Sequence, residues 1–347
     1  MVKQKLSVAI TSVQAVIGDI FPLDSQLYLN SSVYSVDLAK KMVWLSGLLP
    51  YKQCSAVLEE IGEYSIPESS IWRQTQYHGE RLEAVVDFER EQVRVERIVI
   101  PDAIHDHDER KVVSMDAGMV NIRGQGWREL KLGSVFELET RQECKPQTKE
   151  VDEMVHGLDV HYRAVLGNKD EFTPALWALA VEHDVPTAKE RAVVGDGAVW
   201  IWNVAEDICP DGKQIVDWYH ATQKLSSVSH ALYPNEEDDK NRLRWFKTMK
   251  DHLYHGRIHK IIHALELRKG DDLALYFVRH QRRMQYLEFR EEKWPIGSGT
   301  VESAVKQFKH RLTGAGMRWN EDNVNRMLII RAAVLGNDFH NLWDNAA

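Results

Sequence analysis

The feature that most constrains the fold is a change of hydrophobic period between residues 97 and 217. Two segments in this region, 170–183 and 200–209, carry apolar residues at helical spacing. Five shorter segments, rich in β-branched and apolar residues, have the pattern of strands: 111–116, 127–138, 161–166, 191–196 and 214–217. Three strands precede the first helix, so the sequence predicts the order β-β-β-α-β-α-β, an α/β layer. A short β-rich segment at 98–101 leads into it.

Helical patterns precede this layer. Residues 37–46, 51–61 and 67–83 predict three helices, and Gly62 marks a turn between the last two. Two short helices joined in this way have the outline of a helix-turn-helix, and equally that of a plain packing module. The last helix would expose four polar side chains, Arg73, Gln74, Gln76 and Tyr77, of which the first two are candidate DNA contacts.

The segment that follows the layer is helical and carries an unusual charge. Residues 222–293 are helical in pattern, and 300–312 and 320–335 predict two further helices. The net charge of −8 argues against a nucleic-acid partner, but residues 240–320 hold 18 Lys and Arg against 8 Asp and Glu. A basic segment beside an acidic remainder is typical of a protein that offers one face to phosphates, and equally of solvated helix faces.

Cysteine usage and hydropathy limit the class of protein. The three cysteines, Cys54, Cys144 and Cys209, are scattered and form neither a disulfide framework nor a CxxC zinc motif. We find no apolar run of about 18 residues and no apolar signal segment with a cleavage site. We therefore expect a cytoplasmic protein with no membrane span.

Three carboxylates occupy positions where this topology would bring them together. Asp116 and Asp196 come at the predicted ends of the first and fourth strands, and Glu302 lies in the first turn of the helix that follows a Gly-Ser-Gly loop. Oxygen ligands from separate elements suit hard divalent cations such as Mg²⁺. The alternatives are a turn-forming or capping role for each Asp, and an interaction with the helix dipole for Glu302.

Five ordered blocks carry a resemblance to a known family. They span residues 36–335 together with the helices around them, and comprise 113–136 (with VSMDAGMV and GWRELKLGSVF), 195–202 (GDGAVWIW), 215–221 (IVDWYHA), 294–303 (WPIGSGTVES) and 314–319 (GAGMRW). In these blocks the chain resembles DDE transposases of the Kra and Lre insertion-sequence groups, which are bacterial relatives of the Mutator-like elements.

The resemblance implies a fold, an activity and a site. The fold would be a ribonuclease H-like mixed sheet (β-β-β-α-β-α-β-α) with an all-helical insertion. Asp116, Asp196 and Glu302 would bind two Mg²⁺ ions, with Mn²⁺ able to substitute, and Asp217 and His220 would be an accessory pair. The enzyme would cut DNA at insertion-sequence ends and transfer the 3′-hydroxyl to target DNA. Its partners would be double-stranded terminal repeats and target DNA, and its working form a nucleoid-associated homodimer or higher oligomer.

Basic and aromatic residues are the candidate DNA contacts. Besides Arg73 and Gln74 they are Arg244, Lys247, Arg279, Arg282, Arg283, Lys306, Lys309, Arg318 and Trp319. Trp245 and Trp294 are candidates for stacking on an unpaired base, with burial in a helical core as the alternative for each.

The resemblance also implies a domain organisation. The predicted parts are an irregular segment (1–34), a helix-turn-helix-like DNA-binding domain (35–100), the first part of the catalytic core (105–221), the helical insertion (222–293), and the last part of the core with the C-terminal helix (294–347). Family members commonly begin with a cysteine-paired, zinc-ribbon-like segment, whereas this chain has a cysteine-free opening. A catalytically silent or truncated DNA-binding regulator derived from a transposase therefore stays open as the alternative.

Overall fold

The computed structural model of the protein describes residues 34–95, 110–144, 151–268, 270–314 and 317–346. Most of the predicted segment 1–34 and the predicted short strand at 98–101 lie outside these residues. The chain divides into two compact units, the first extending to Thr75 and the second beginning at Gln76. Each unit is described separately below.

The first unit is built from helices. It contains α1 (Val36–Leu48), α2 (Tyr51–Gly62) and the beginning of α3 (Glu68–Val95). The Ser35 side chain caps α1 by accepting a hydrogen bond from the Leu38 amide, and Glu63, with φ of 57°, ends α2. The side chains that form its small core are Met42, Leu45, Cys54, Leu58, Ile66 and Ile71.

The helix α3 is much longer than its sequence pattern predicts. We expect it to end near Glu83, but it is 28 residues long and ends at Val95. Residues 80–95 contain neither Gly nor Pro, and Leu82 and Val86 are buried, so nothing stops the helix at the expected place. Gln76, which we expected to be exposed, is also buried.

The second unit is built around a five-stranded mixed sheet of order β3-β2-β1-β4-β5. The strands β1, β2 and β3 are antiparallel, whereas β4 pairs parallel with β1, and β5 parallel with β4. The five strands are β1 (Arg110–Ile122), β2 (Gly126–Cys144), β3 (Val151–Leu166), β4 (Glu190–Gly195) and β5 (Lys213–Val216). The prediction of an α/β fold with a mixed sheet is therefore confirmed.

Helices follow the third, fourth and fifth strands. They are α4 (Lys169–Glu182), α5 (Val199–Ile208) and α6 (Trp218–Leu232), so the observed order is β-β-β-α-β-α-β-α. Asn168 and Glu171 form a capping box that starts α4. The core of the sheet contains apolar side chains of β1, β4 and β5 packed against α4 and α5.

The strand β1 is longer than predicted, which changes the place of Asp116. The sequence places Asp116 at a strand end, but the β1–β2 hairpin keeps β1 extended to Ile122. The parallel pairing with β4 stops at Met115 opposite Gly195. Asp116 is therefore the first residue beyond the parallel pairing, although it lies in the middle of its strand.

The described residues between β5 and the Glu302 helix are helical, with short 3₁₀ turns. After α6 come α7 (Asp239–Tyr254), α8 (Ile258–Glu266), α9 (Asp271–His280) and α10 (Tyr286–Glu291), and the remaining helices are α11 (Gly299–Leu312), α12 (Glu321–Leu335) and α13 (Phe339–Asn345). Trp245 and Trp294 are buried, and the Arg110 guanidinium lies 3.8 Å from the centroid of the Trp294 ring. No helix among the described residues is long and apolar enough to cross a membrane.

Candidate active site

Two carboxylates meet where the parallel strands β1 and β4 stop pairing. Asp116 follows Met115 on β1, and Asp196 follows Gly195 on β4. One oxygen of Asp116 accepts a hydrogen bond from the Ala117 amide at 2.7 Å, and one oxygen of Asp196 accepts from the Ala198 amide at 2.7 Å. Gly197 has φ of 100°, which favours glycine, so the turn after β4 depends on that residue.

Several neighbouring groups act on the charge of Asp116. Burial raises the pKa of Asp116, the amide hydrogen bond from Ala117 lowers it in part, and the carboxylate of Asp196 raises it further. His220 and Lys309 act in the opposite direction on the same group. Two acidic groups with one imidazole and one ammonium therefore share this edge of the sheet.

Asp217 lies behind this edge of the sheet and accepts several hydrogen bonds. Its side chain is buried, and Oδ1 accepts hydrogen bonds from the His220 amide at 2.8 Å and from His220 Nδ1 at 3.1 Å. Its Oδ2 accepts from the Ser298 amide at 2.5 Å and from Ser298 Oγ at 2.8 Å. Burial opposes ionisation of Asp217, but the hydrogen bonds from His220 and Ser298 outweigh it and lower its pKa. Both oxygens accept hydrogen bonds inside the protein, so Asp217 holds His220 and Ser298 in place, and its catalytic role stays a prediction.

His220 is half-buried and faces the carboxylates. The hydrogen bond with Asp217 raises the pKa of His220 against the effect of burial, and the carboxylates of Asp217, Asp196 and Asp116 raise it further. Its raised pKa makes the imidazole a cation over a wider pH range than a free histidine. Asp217 and His220, the predicted accessory pair, therefore form a hydrogen-bonded pair in which His220 is the more exposed member.

Glu302 lies on α11, one turn from Ser298. The Glu302 amide donates a hydrogen bond to the Ser298 carbonyl at 2.9 Å, so Asp217 indirectly positions the start of this helix. The Glu302 carboxylate accepts a hydrogen bond from Lys306 Nζ at 2.7 Å. Lys309 lies on the same face, and its Cε lies 3.3 Å from the point where a Cβ on Gly118 would stand. The absence of a side chain at Gly118 lets Lys309 approach β1 beyond Asp116.

The structure does not bring the three predicted metal ligands within coordination distance of one another. Among the described residues, the group of three His, Cys, Asp or Glu side chains whose ligand atoms lie within 4.8 Å of one another is a different one, His161, His183 and Asp338. This group could hold a metal ion. The predicted site therefore consists of two neighbouring carboxylates, with Glu302 on the adjacent helix in an ion pair with Lys306.

Some of the residues predicted to contact DNA are buried, and others are exposed. Trp319 is buried and its indole N–H donates to the Leu312 carbonyl at 2.8 Å, so its ring is part of the core and the prediction that it contacts DNA is not supported. Trp245 and Trp294 are both buried, which agrees with a place in the core and not with stacking on a DNA base. Gln74 is half-buried, and the exposed candidates are Arg73, Arg244, Lys247, Arg279, Arg282, Lys306, Lys309 and Arg318.

Several basic residues line one cleft. Lys213, Arg279, Arg282 and Arg283 border a cavity of about 550 Å³. Arg283 Nε donates to Gln214 Oε1 at 2.6 Å, so this guanidinium is already engaged, whereas Arg279 and Arg282 are exposed. Lys213 begins β5, four residues before Asp217, which puts the cleft on the order of 13 Å from the carboxylates along the strand.

Sequence reasoning missed two residues of the site. Tyr276, on α9, donates its hydroxyl hydrogen to the Asp196 carbonyl at 3.3 Å, and its oxygen stands 2.9 Å from a Cβ built on Gly197. Burial raises the pKa of Tyr276, and the charges of Asp196 and Asp217 add to this. Ser298 is the second. Its place between two glycines was visible in the sequence, but nothing local pointed to Asp217 as its partner or to Tyr276 at all.

Comparison with known proteins adds no family to this geometry. No protein-family model matches the chain, and no curated protein matches it.

Proposed function

We propose that this protein is a transposase that cuts DNA strands at insertion-sequence ends and joins the 3′-hydroxyl to target DNA. The observation that carries the proposal is the meeting of Asp116 and Asp196 beyond the parallel pairing of β1 and β4, with His220 beside them. The chain order β-β-β-α-β-α-β-α supports a ribonuclease H-like core, which the resemblance implies. The packing of α11, which carries Glu302, against β1 supports Glu302 as the third acidic residue.

The donor set fits hard divalent cations. Only one oxygen of Asp116 and one of Asp196 accept a backbone hydrogen bond, which leaves carboxylate oxygens for a cation. The carboxylate of Asp196 disfavours the charge of Asp116, and a Mg²⁺ or Mn²⁺ ion would relieve this repulsion. Asp116, Asp196 and Glu302 would hold two such ions, which supply activation of the attacking hydroxyl and stabilisation of the leaving oxygen.

The other residues of the site bind and orient the DNA. His220, held by Asp217, presents a cationic imidazole to a phosphate near the carboxylates. Lys306 and Lys309 extend the positive charge along the exposed face of α11, and Lys306 would have to leave Glu302 for that carboxylate to bind a cation. Asp217 is a positioning residue, because it fixes both His220 and the Ser298 turn.

The basic cleft supports a longer contact with the DNA backbone. Arg279 and Arg282 are exposed at its rim, well removed from the carboxylates along β5. Phosphates several nucleotides from the cut site would lie there, since contacts to the backbone fix the register without reading bases. Arg73, on the first unit, is an exposed candidate for additional DNA contacts.

A cleavage assay tests the proposal. The full chain is incubated with a labelled duplex that carries the element's end, in Mg²⁺, in Mn²⁺ or in EDTA. We expect nicking that requires metal and falls by roughly two orders of magnitude or more in Asp116→Asn, Asp196→Asn and Glu302→Gln. DNA binding, measured by fluorescence anisotropy, should stay within a few-fold of wild type in all three.

The matched control is Asp170→Asn, an exposed carboxylate in the first turn of α4. It should cut as wild type does. Full nicking activity in any of the three site variants would remove that residue from the proposed site. Binding without nicking under either metal would contradict the enzyme and favour a catalytically silent regulator.

A further inference from the structure

Two histidines and an aspartate form a polar cluster away from the carboxylates of the proposed strand-cutting site. His161 is on β3, His183 ends α4 and Asp338 precedes α13. Nδ1 of His161 lies 2.8 Å from Oδ1 and 2.9 Å from Oδ2 of Asp338, although 177 residues separate them. The two imidazole rings stack with centroids 3.5 Å apart and an angle of 18° between their planes.

A second carboxylate faces the other nitrogen of His161. Oδ2 of Asp159 lies 3.1 Å from His161 Nε2. A register shift between Val135 and Glu137 of β2 puts a bulge in β3 at this point, and Asp159 has φ of 47°. The contact is an ion pair without the geometry of a hydrogen bond. A carboxylate at this distance favours a proton on Nε2, which would leave the Nδ1 lone pair for a cation, and ligating histidines in proteins are commonly oriented by such a carboxylate.

One ring nitrogen of His183 has no hydrogen-bond partner among the described residues. This nitrogen, Nε2, is buried, and the nearest carboxylate oxygen of Glu182 is 4.0 Å away. A buried imidazole nitrogen without a partner costs free energy, which a ligand would recover.

A cavity reaches one of the three side chains. It has a volume of about 40 Å³ and is lined by Asp338 together with Glu182, Glu89 and Arg163. The cavity therefore gives access to the Asp338 carboxylate, while His161 and His183 lie behind it.

We propose that His161, His183 and Asp338 bind one divalent transition-metal ion of the zinc class. Two imidazole nitrogens and one carboxylate favour Zn²⁺ over Mg²⁺, which prefers oxygen ligands. The ion replaces the proton between His161 Nδ1 and Asp338, and that proton goes to solvent. Because imidazole lone pairs lie in the ring planes, His183 turns out of the stack to coordinate.

The site has a structural role. It links β3, the end of α4 and the start of α13, three elements that meet at one end of α12. The metal is therefore distinct from the ions of the strand-cutting site, and the inference goes beyond the proposed function.

Binding of Co²⁺ to the metal-free full chain tests the site, because four-coordinate Co²⁺ absorbs visible light. We expect one equivalent to give the strong absorption of four-coordinate Co²⁺ and to be displaced by Zn²⁺, with a higher melting temperature when Zn²⁺ is bound. His183→Phe keeps a ring stacked on His161 but removes both nitrogens, so it should fold and lose at least about tenfold in Co²⁺ affinity. Asp338→Asn should lose a comparable amount.

Controls separate this site from the proposed strand-cutting site. The double variant Asp116→Asn with Asp196→Asn should bind Co²⁺ as wild type does, and His183→Phe should keep Mg²⁺-dependent nicking. Far-UV circular dichroism checks that each variant is folded. Wild-type Co²⁺ affinity in folded His183→Phe, or no Co²⁺ spectrum in the wild type, would overturn the proposal.

Discussion

At the scale of single residues, Asp217 connects parts of the chain that are far apart in sequence. Its carboxylate orders His220 three residues away and Ser298, 81 residues away. Such a buried carboxylate is stabilised only while all its donors stay in place. Its loss should disturb both the histidine and the turn that begins the Glu302 helix, without removing any proposed ligand.

The variant Asp217→Asn tests this. It places an amide N–H against existing donors, so we expect a loss of about 1–3 kcal/mol in the free energy of unfolding, measured by urea denaturation. The pKa of His220, measured by NMR titration with His220→Gln for assignment, should fall toward its ordinary value near about 6.5. The exposed Asp170→Asn should change neither quantity.

The hydrogen-bonded pair of Asp217 and His220 makes the free energy of unfolding depend on pH, and the sign of this dependence follows from their two pKa shifts. Because the pKa of Asp217 is lower in the folded protein, this residue stabilises the fold at pH values above its pKa in the unfolded chain. This stabilisation is lost as the pH falls through the folded pKa. The raised pKa of His220 stabilises the fold below its unfolded value, and this is lost as the pH rises through the folded pKa. The difference between wild type and Asp217→Asn should therefore be largest between about pH 4 and 6.5. A difference that grows steadily to pH 9 would contradict the ion pair.

At the scale of elements, the packing of α4 on the sheet depends on one glycine of β2. A Cβ on Gly133 would stand 2.5 Å from Leu176 Cδ1 and 3.0 Å from Phe172 Cζ, and both of these side chains are fully buried. The helix therefore packs closer to β2 than any side chain at this position permits. Gly133 lies in an antiparallel pair with Met115, next to Asp116, so a shift of the helix acts close to the site.

We expect Gly133→Ala to lower the free energy of unfolding by about 1–3 kcal/mol, because the core must move to accept the methyl group. Urea denaturation followed by circular dichroism measures the loss. Gly299→Ala is the control, since a Cβ there meets no atom within 4 Å, and its stability should change by less than about 0.5 kcal/mol. Equal stability of the two variants would show that α4 can move away from β2 without a loss in the free energy of unfolding.

At the scale of the whole molecule, charge is divided between an acidic remainder and a basic segment. The chain carries a net charge of −8, yet residues 240–320 hold 18 Lys and Arg against 8 Asp and Glu. Many of these basic side chains are exposed, among them Arg244, Lys247, Arg279 and Arg282. If the proposed function holds, binding to duplex DNA is driven by this segment and weakens steeply with salt.

The double variant Arg279→Ala with Arg282→Ala measures the contribution of the basic cleft. The slope of log affinity against log salt concentration should become shallower by about 2, because each phosphate contact contributes about 0.9. The control Arg90→Ala with Arg141→Ala removes the same charge outside the basic segment and should keep the wild-type slope. An equal change in both double variants would mean that net charge alone governs binding.

The sequence by itself determined the elements. Hydrophobic periodicity is a local property, so the order of five strands and the helices between them follows from the pattern, with ends mostly within a few residues. The same locality identified Asp116, Asp196 and Glu302 as acidic residues next to small ones. It failed for α3, which continues past its expected end, and for β1, β2 and β3, whose antiparallel pairing extends the strands well beyond the predicted segments.

Only the tertiary structure decided which of these residues touch. The partners Asp217 and Ser298, His161 and Asp338, and Asp196 and Tyr276 are separated by 81, 177 and 80 residues. Their meeting depends on how helices pack on the sheet, which no local pattern encodes. The burial of Trp319 belongs to the same class. The type of a residue determines which chemistry its side chain can perform, and tertiary packing determines which other residues it contacts.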